Sequence, residues 1–319
     1  MELSRRTLLA VAAGVPLQAL LFGRATAAPT TPPAPTLRYT MTAFTNGSET
    51  DLHVYESSDA TTFREVAGAA YTPPTGLLRD PSLIRHRDGR YYITYTTGWE
   101  GHTIGFARSD DRITWTHLYD YEVKVPGVTS TWAPEWFVDR NGEISVLVSL
   151  SDGYRFTPHL MTATDAELRS WTPLSPMVGL EPADDVTYGH IDTTVVLAGG
   201  KYYAFTKNES TKYIELAVAE AIDGRYSFLR TDDWAGWGAP REGPSVIRLP
   251  GGGWRIFFDA YEDGAYLYSD SHDDFRTWTT PVELPGLSGT VRHFTVLAEA
   301  AGRHDQAIAQ PTTAAAAEN

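Results

Sequence analysis

Short apolar runs, each broken by a two- or three-residue glycine turn and then resumed, recur along the middle of the chain. The first is Arg79-Asp80-Pro81-Ser82-Leu83-Ile84, then Asp88-Gly89, then Tyr91-Tyr92-Ile93-Thr94-Tyr95. The second is Ala133-Pro134-Glu135-Trp136-Phe137-Val138, then Asn141-Gly142, then Ile144 to Leu150. The third is Ile191-Asp192-Thr193-Thr194-Val195-Val196, then Gly199-Gly200, then Tyr202-Tyr203-Ala204-Phe205. The fourth is Glu242-Gly243-Pro244-Ser245-Val246-Ile247, then Gly251 to Gly253, then Trp254 to Phe258. Each predicts an antiparallel hairpin of two strands joined by a tight turn. A third strand follows, and in three places a Ser/Thr-Asp turn then leads to Trp115, Trp171 or Trp278. Small hydroxyl and Asp side chains bond their own backbone in such turns, so these aspartates are assigned to turn chemistry. No long stretch of helical period competes with the strands.

The phrases return every fifty-odd residues with several strands per unit, the signature of a β-propeller. A fifth unit opens with Val291-Arg292-His293-Phe294-Thr295-Val296, but its outer strands are missing downstream. The N-terminal segment supplies them in Tyr39 to Phe44, Leu52 to Glu56 and Phe63 to Val66. The expected fold is therefore all-β: a five-bladed β-propeller whose ring is closed by N-terminal strands joining the last blade. Closure of that kind removes two exposed sheet edges.

Composition narrows the function. Among 319 residues there are 40 acidic and 26 basic side chains, for a formal charge of −14. Phosphate backbones need clustered Lys and Arg, so nucleic acid is excluded as a partner. Cysteine is absent, which excludes disulfides and zinc-thiolate sites. The start reads Ser4-Arg5-Arg6-Thr7-Leu8-Leu9, an apolar run to Phe22, then Ala25-Thr26-Ala27. Basic, apolar, small is the order of an export signal, here of twin-arginine type, over residues 1–27. Its apolar run falls short of the ~20 residues a spanning helix needs, so no membrane span is expected. Residues 28–36 form a Pro/Thr-rich linker, 37–301 the propeller and 302–319 a low-complexity tail. The product is expected to be a secreted (extracellular) monomer.

The innermost strand of each blade lines a propeller's central channel, so matched repeat positions converge on one mouth. Matching by spacing brings Asp80, Glu135, Asp192, Glu242 and His293 together. Crowded carboxylates drive their pKa values apart, leaving one ionised as base and another protonated as acid. Two such groups across a sugar ring are what glycosidic cleavage needs. Trp99, Trp132, Trp136, Tyr188, Trp234 and Trp237 lie near the rim in sequence. Of these, Trp99 and Trp132 are the candidates for stacking on sugar, whereas Trp136 is assigned to the core.

The core resembles glycoside hydrolase family 43, five-bladed propellers that cleave arabinosides, xylosides and related glycosides with inversion. Arg79-Asp80-Pro81-Ser82, Trp132-Ala133-Pro134-Glu135, His190-Ile191-Asp192 and Arg241-Glu242-Gly243-Pro244 carry the resemblance. It implies that Asp80 is the general base, that Glu242 is the general acid, and that Asp192 orients Glu242 and holds its pKa up. Trp99, Trp132, Glu135, His190 and His293 are the expected contacts to an oligosaccharide or polysaccharide, α-L-arabinofuranosides first, with bracing of Arg79 the alternative role for Glu135. No cofactor is required, and a structural Ca2+ or other cation in the central channel is compatible with the resemblance. Two phrases depart from the family: Thr193-Thr194 follows Asp192, and Arg292-His293-Phe294 stands where the family has Arg-His-Gly. A carbohydrate-binding propeller without catalysis and a retaining fructan-type glycosidase are the alternatives. The first does not require Asp80, Asp192 and Glu242 together, and the second normally carries Asn-Asp-Pro-Asn and Glu-Cys, absent here.

Overall fold

The computed structural model describes residues 37–74, 76–182 and 186–301. The signal, linker and tail expected at 1–27, 28–36 and 302–319 lie outside the described residues. Every regular element among the described residues is a strand. Strands β1 (Leu37–Thr45), β2 (Ser48–Ser57) and β3 (Arg64–Tyr71) come first. Blade one follows as β4 (Arg79–Arg85), β5 (Tyr91–Thr96), β6 (Thr103–Ser109) and β7 (Trp115–Glu122). Blade two is β8 (Ser130–Val138), β9 (Ile144–Ser151), β10 (Phe156–Thr162) and β11 (Ser175–Pro176). Blade three is β12 (His190–Ala198), β13 (Lys201–Asn208), β14 (Ile214–Ala219) and β15 (Ser227–Arg230). Blade four is β16 (Glu242–Arg248), β17 (Trp254–Ala260), β18 (Ala265–Ser271) and β19 (Val282–Glu283). The last strand, β20 (Val291–Ala300), pairs with β1 to give the order β20-β1-β2-β3, the fifth blade.

Five four-stranded sheets thus form a ring through their innermost strands β4, β8, β12, β16 and β20. Five apolar clusters fill the five gaps between neighbouring blades. Phe106, Trp136 and Val146 lie between blades one and two, and Leu147, Val195 and Ala204 between two and three. Phe205, Ile256 and Phe258 fill the next gap, Phe257, Tyr266 and Phe294 the fourth, and Leu52, Ile93 and Tyr95 the last. Each such side chain contributes about 1.5–3 kcal/mol when fully buried. With no cysteine to staple the chain, these interfaces and the β1–β20 pairing hold the ring. Opposite residues Arg38 and Glu299 add an ion pair of 2.6 Å, with the Tyr91 hydroxyl donating to Glu299.

The innermost strands share one irregularity. Each carries a β-bulge in which two residues face one on the partner strand: Asp80-Pro81, Ala133-Pro134, Asp192-Thr193, Gly243-Pro244 and His293-Phe294. The first residue of every bulge is left-handed, with φ of 51° at Asp80, 48° at Ala133, 54° at Asp192, 58° at Gly243 and 27° at His293. Bulges are among the few places a sheet accepts proline, which explains the three X-Pro phrases. It also explains why Thr193 and Phe294 are tolerated after the bulge. The Phe294 N–H finds the Tyr266 hydroxyl at 3.0 Å.

The bulge corrects the equivalences inferred from spacing. The true matched set is Asp80, Ala133, Asp192, Gly243 and His293. Glu242 stands one residue before its bulge, beside Arg79, Trp132, Ile191 and Arg292 in phase. Glu135 stands directly after its bulge, in phase with Ser82, Thr194, Ser245 and Thr295. An extra residue in each strand makes counting along the repeat ambiguous by one or two positions.

Neighbouring blades are pegged together at these bulges. The Ala133 N–H donates to Thr96 Oγ1 at 2.8 Å, Asp192 N–H to Ser149 Oγ at 3.2 Å, and His293 N–H to Asp259 Oδ2 at 3.4 Å. The Gly243 N–H donates to Asp192 Oδ2 at 3.2 Å. Gly243 is required twice over, because its φ is left-handed and an added Cβ would lie 2.8 Å from the His293 ring. Gly243→Ala is therefore expected to cost on the order of 3 kcal/mol, from left-handed strain plus a forced shift of His293. Gly89→Ala, where φ is 89° and nothing lies within 4 Å of the new Cβ, should cost only about 1 kcal/mol. Thermal unfolding of the two variants checks this. Equal losses would show that the His293 contact carries no cost.

Candidate active site

The residues before the five bulges, and three of the residues at them, line one cavity of about 300 Å³ at the mouth of the channel. Blade one supplies Arg79 and Asp80, blade two Trp132, blade three Ile191 and Asp192, blade four Glu242, and the closing strand Arg292 and His293. The second strands add Thr96 and Lys207. The three carboxylates expected to do chemistry, Asp80, Asp192 and Glu242, therefore share one cavity.

Their surroundings differ. Asp80 is buried; its Oδ2 accepts from Thr96 Oγ1 at 2.7 Å and its Oδ1 lies 3.2 Å from His293 Nδ1. Asp192 is also buried, accepts from the Gly243 N–H, and stands 3.9 Å from the same His293 nitrogen. Burial pushes the Asp192 pKa up to about 6, against the pull of His293 and Lys207. Glu242 meets two cations: Lys207 Nζ donates to Oε2 at 3.0 Å and Arg292 Nη2 to Oε1 at 2.9 Å. Burial alone would raise the Glu242 pKa, but Lys207, His293 and Arg292 together outweigh it and hold the carboxyl below its ordinary value. Asp192 and Glu242 disfavour each other's charge, the direction expected for a residue that holds the acid's pKa up, but the cations beside Glu242 outweigh it. In the free protein the cation pair dominates.

His293 is the electrostatic centre of the group. Burial works to lower its pKa, but Asp80, Asp192, Glu242 and Glu135 outweigh that and raise it. Among the described residues no group of three or more His, Asp or Glu is placed to hold a metal ion directly.

Trp99 and Trp132 meet edge to face with ring centroids 5.6 Å apart, and Trp132 Nε1 donates to the Trp99 carbonyl at 2.9 Å. Trp99 is 50% exposed, with the Arg79 guanidinium 4.0 Å from its ring centre. Both tryptophans stand at the rim, open to a sugar face. Glu135 and His190 are corrections to the expected contact set, for neither lines the cavity. Glu135, directly after its bulge, accepts from Thr194 Oγ1 at 3.4 Å. His190, one residue before the bulge's flank, is buried, with Nε2 3.2 Å from Glu215 and its ring stacked on Phe228. Trp136 and Trp237 lie in the core, Trp234 packs against it, and Tyr188 stays exposed beside Tyr154.

Sequence reasoning missed Lys207, Glu209 and Asp259, and gave Arg292 no partner. Arg292 Nε donates to Asp259 Oδ2 at 2.5 Å while its other arm holds Glu242. The available signal was a lysine ending the otherwise buried run Tyr202-Tyr203-Ala204-Phe205-Thr206 in a chain with few lysines. No helix among the described residues is long and apolar enough to cross a membrane.

Comparison with known proteins places this site in context. A family model described as a probable glycosyl hydrolase domain, related to family 43, matches residues 35–305. An alpha-L-arabinofuranosidase of Bifidobacterium longum subsp. longum is 26% identical over 269 residues, covering 65% of this chain and 25% of that protein. The chain thus spans about a quarter of the length of that curated relative. Among solved structures, an endo-1,4-beta-xylanase of Bacteroides thetaiotaomicron superposes with a TM-score of 0.60 at 13% identity, covering 81% of this chain and 93% of that one. A thermostable family-43 glycoside hydrolase gives 0.58 at 18% identity, covering 80% and 88%. At such identities these structures share the fold.

Glu135 generates a prediction of its own. Burial raises its pKa from 4.5 to about 7, so the native state binds this proton more tightly than the unfolded chain. The stability it contributes is present below about pH 4.5 and is lost as pH rises through about 7. Glu135→Gln should flatten the fall in melting temperature across that window, a share of about 2 kcal/mol after allowing for partial solvent access. Identical slopes for variant and parent would show that Glu135 ionises freely.

Proposed function

The chain belongs to the family of glycosyl hydrolase domains related to glycoside hydrolase family 43, and from that premise we propose that it hydrolyses α-L-arabinofuranosides with inversion, as a secreted enzyme. One observation carries the reading: Asp80 and Glu242, from blades on different sides of the ring, line one cavity with Asp192 and His293 between them. A cavity of about 300 Å³ lies at the lower end for ligand pockets and suits a single sugar ring. The choice of arabinofuranoside is supported by the curated relative, itself an alpha-L-arabinofuranosidase. Export is supported by the basic-apolar-small order at the N-terminus.

In this mechanism Asp80 accepts a proton from a water that attacks the anomeric carbon. Glu242 gives a proton to the glycosidic oxygen as the carbon–oxygen bond breaks. Thr96 fixes the Asp80 carboxylate, and the Gly243 N–H fixes Asp192 beside the acid. Trp99 and Trp132 offer aromatic surface at the rim for the sugar. His293 Nδ1, 3.2 Å from Asp80 Oδ1, holds the other carboxylate oxygen in place.

The two essential carboxylates separate by leaving group. Glu242→Gln should lower hydrolysis of arabino-oligosaccharides by roughly 10²–10⁴-fold, while an aryl arabinofuranoside with an acidic phenol keeps most of its rate. Asp80→Asn should lose both, because water needs activation whatever departs. Azide should restore Asp80→Ala only on the activated donor. Initial rates on chromogenic and natural substrates measure all three. Full activity in both Glu242→Gln and Asp80→Asn on a turned-over natural glycoside would overturn the assignment.

A further inference from the structure

Lys207 has no structural duty that its siblings share. On the second strand of each blade, the residue paired with the position before the bulge is Thr96, Ser149, Lys207 and Asp259 in blades one to four. Thr96, Ser149 and Asp259 each accept the N–H of the next blade's bulge residue. A lysine has no acceptor. In blade three the Asp192 carboxylate takes over that peg, and Lys207 is released to point into the cavity.

There it is shared. Lys207 Nζ is 3.0 Å from Glu242 Oε2 and also 3.0 Å from Glu209 Oε2. Its side chain is only 4% exposed, and its Nζ lies 5.2 Å from the Tyr261 ring centre. Glu209 is anchored from the other side by Lys212. One ammonium therefore has two carboxylate partners at equal distance, one of them the group that must deliver a proton. A general acid pinned by Lys207 and Arg292 rests in its ionised form, which cannot donate.

We propose that Lys207 is a positioning residue: a sugar entering the cavity moves it from Glu242 onto Glu209, and Glu242 then takes up the proton it delivers. The proposal deepens the glycosidase reading and, for its kinetic half, rests on it. The cycle balances. Glu242, having lost one cation, takes a proton from solvent and passes it to the departing oxygen. Asp80 takes a proton from the attacking water, and after product release that proton returns to solvent while Lys207 returns to Glu242. No other co-reactant enters. The groups that also face Glu242 are Arg292 and His293 from β20, Asp192 from β12, Asp259 from β17 and Tyr261 after β17, with Asp80 reaching it through His293. Arg292 remains after the move, but it is divided between Glu242 and Asp259.

Two variants shift the balance in opposite senses. Lys207→Met removes the mobile cation, and Glu209→Gln removes its second berth while keeping the hydrogen-bonding shape. The direct readout is carbon-13 NMR titration of the glutamate carboxyls in the full folded protein, with the Glu242 signal identified by its loss in Glu242→Gln. Lys207→Met should move the Glu242 midpoint up by at least one pH unit, and Glu209→Gln should move it down or leave it. The kinetic readout uses an arabino-oligosaccharide, whose poor leaving group needs the acid. In the parent enzyme the alkaline limb of kcat should lie at higher pH than that of kcat/KM, since kcat reports the bound state. Lys207→Met should bring the two limbs together by raising that of kcat/KM, and Glu209→Gln should do so by lowering that of kcat. Coincident limbs in the parent, or an unmoved Glu242 midpoint in Lys207→Met, would overturn the proposal. A midpoint that moves in a protein hydrolysing no arabino-oligosaccharide would support the resting clamp, refute its catalytic use here and count against the proposed substrate.

Discussion

The left-handed bulge in each innermost strand is the constraint on which the site depends. A regular strand sends alternate side chains to opposite faces, so it would aim only every second residue at the channel mouth. Two residues opposed to one break that alternation and bring successive side chains into the same cavity. Arg79 with Asp80, Ile191 with Asp192, and Arg292 with His293 all line it for this reason. The same bulges free N–H groups toward the preceding blade, where Thr96, Ser149, Asp192 and Asp259 accept them. The joints between blades one to five and the assembly of the site thus share one set of hydrogen bonds. Left-handed non-glycine residues cost of order 1–3 kcal/mol each, and strain of that size persists only where the surroundings over-determine it. Here the blade interfaces supply the offset.

Electrostatics follow from that geometry. The bulges gather Asp80, Asp192, Glu242 and, deeper, Glu135 around a single imidazole, and the second strands bring Lys207 and Asp259 alongside. Taken out of water, so many carboxylates cannot all remain charged without cations. Burial therefore lifts Asp192, Glu135 and Asp259, while paired cations hold Glu242 down. The acid candidate is thus in the ionised state when the site is empty, which is why a movable Lys207 matters to the chemistry.

Most of the architecture was legible in the sequence. Gly turns between apolar runs marked the hairpins, and the repeat length counted the blades. An incomplete fifth unit at Val291 to Val296 called for partners from the N-terminus, and β1 to β3 supply them. Asp80, Asp192 and Glu242 were found because their phrases are locally distinctive. What the sequence hid was phase: a bulge adds one residue without altering the apolar pattern, so Glu135 was brought to the mouth when it lies behind it. His190 was misplaced similarly, since adjacency to Asp192 says nothing of which way a strand residue faces. Lys207 and Asp259 lie outside every motif and become visible only when β13 and β17 are laid beside their bulged partners.

The central claim is that Asp80 and Glu242 act as base and acid on opposite sides of one sugar, in a single displacement with a water between carboxylate and ring. Proton NMR of an arabino-oligosaccharide digest in its first minutes, before the released sugar equilibrates, tests that claim most directly. The account predicts that the first-formed sugar has the anomeric configuration opposite to that of the bond cleaved. Product of retained configuration would contradict it.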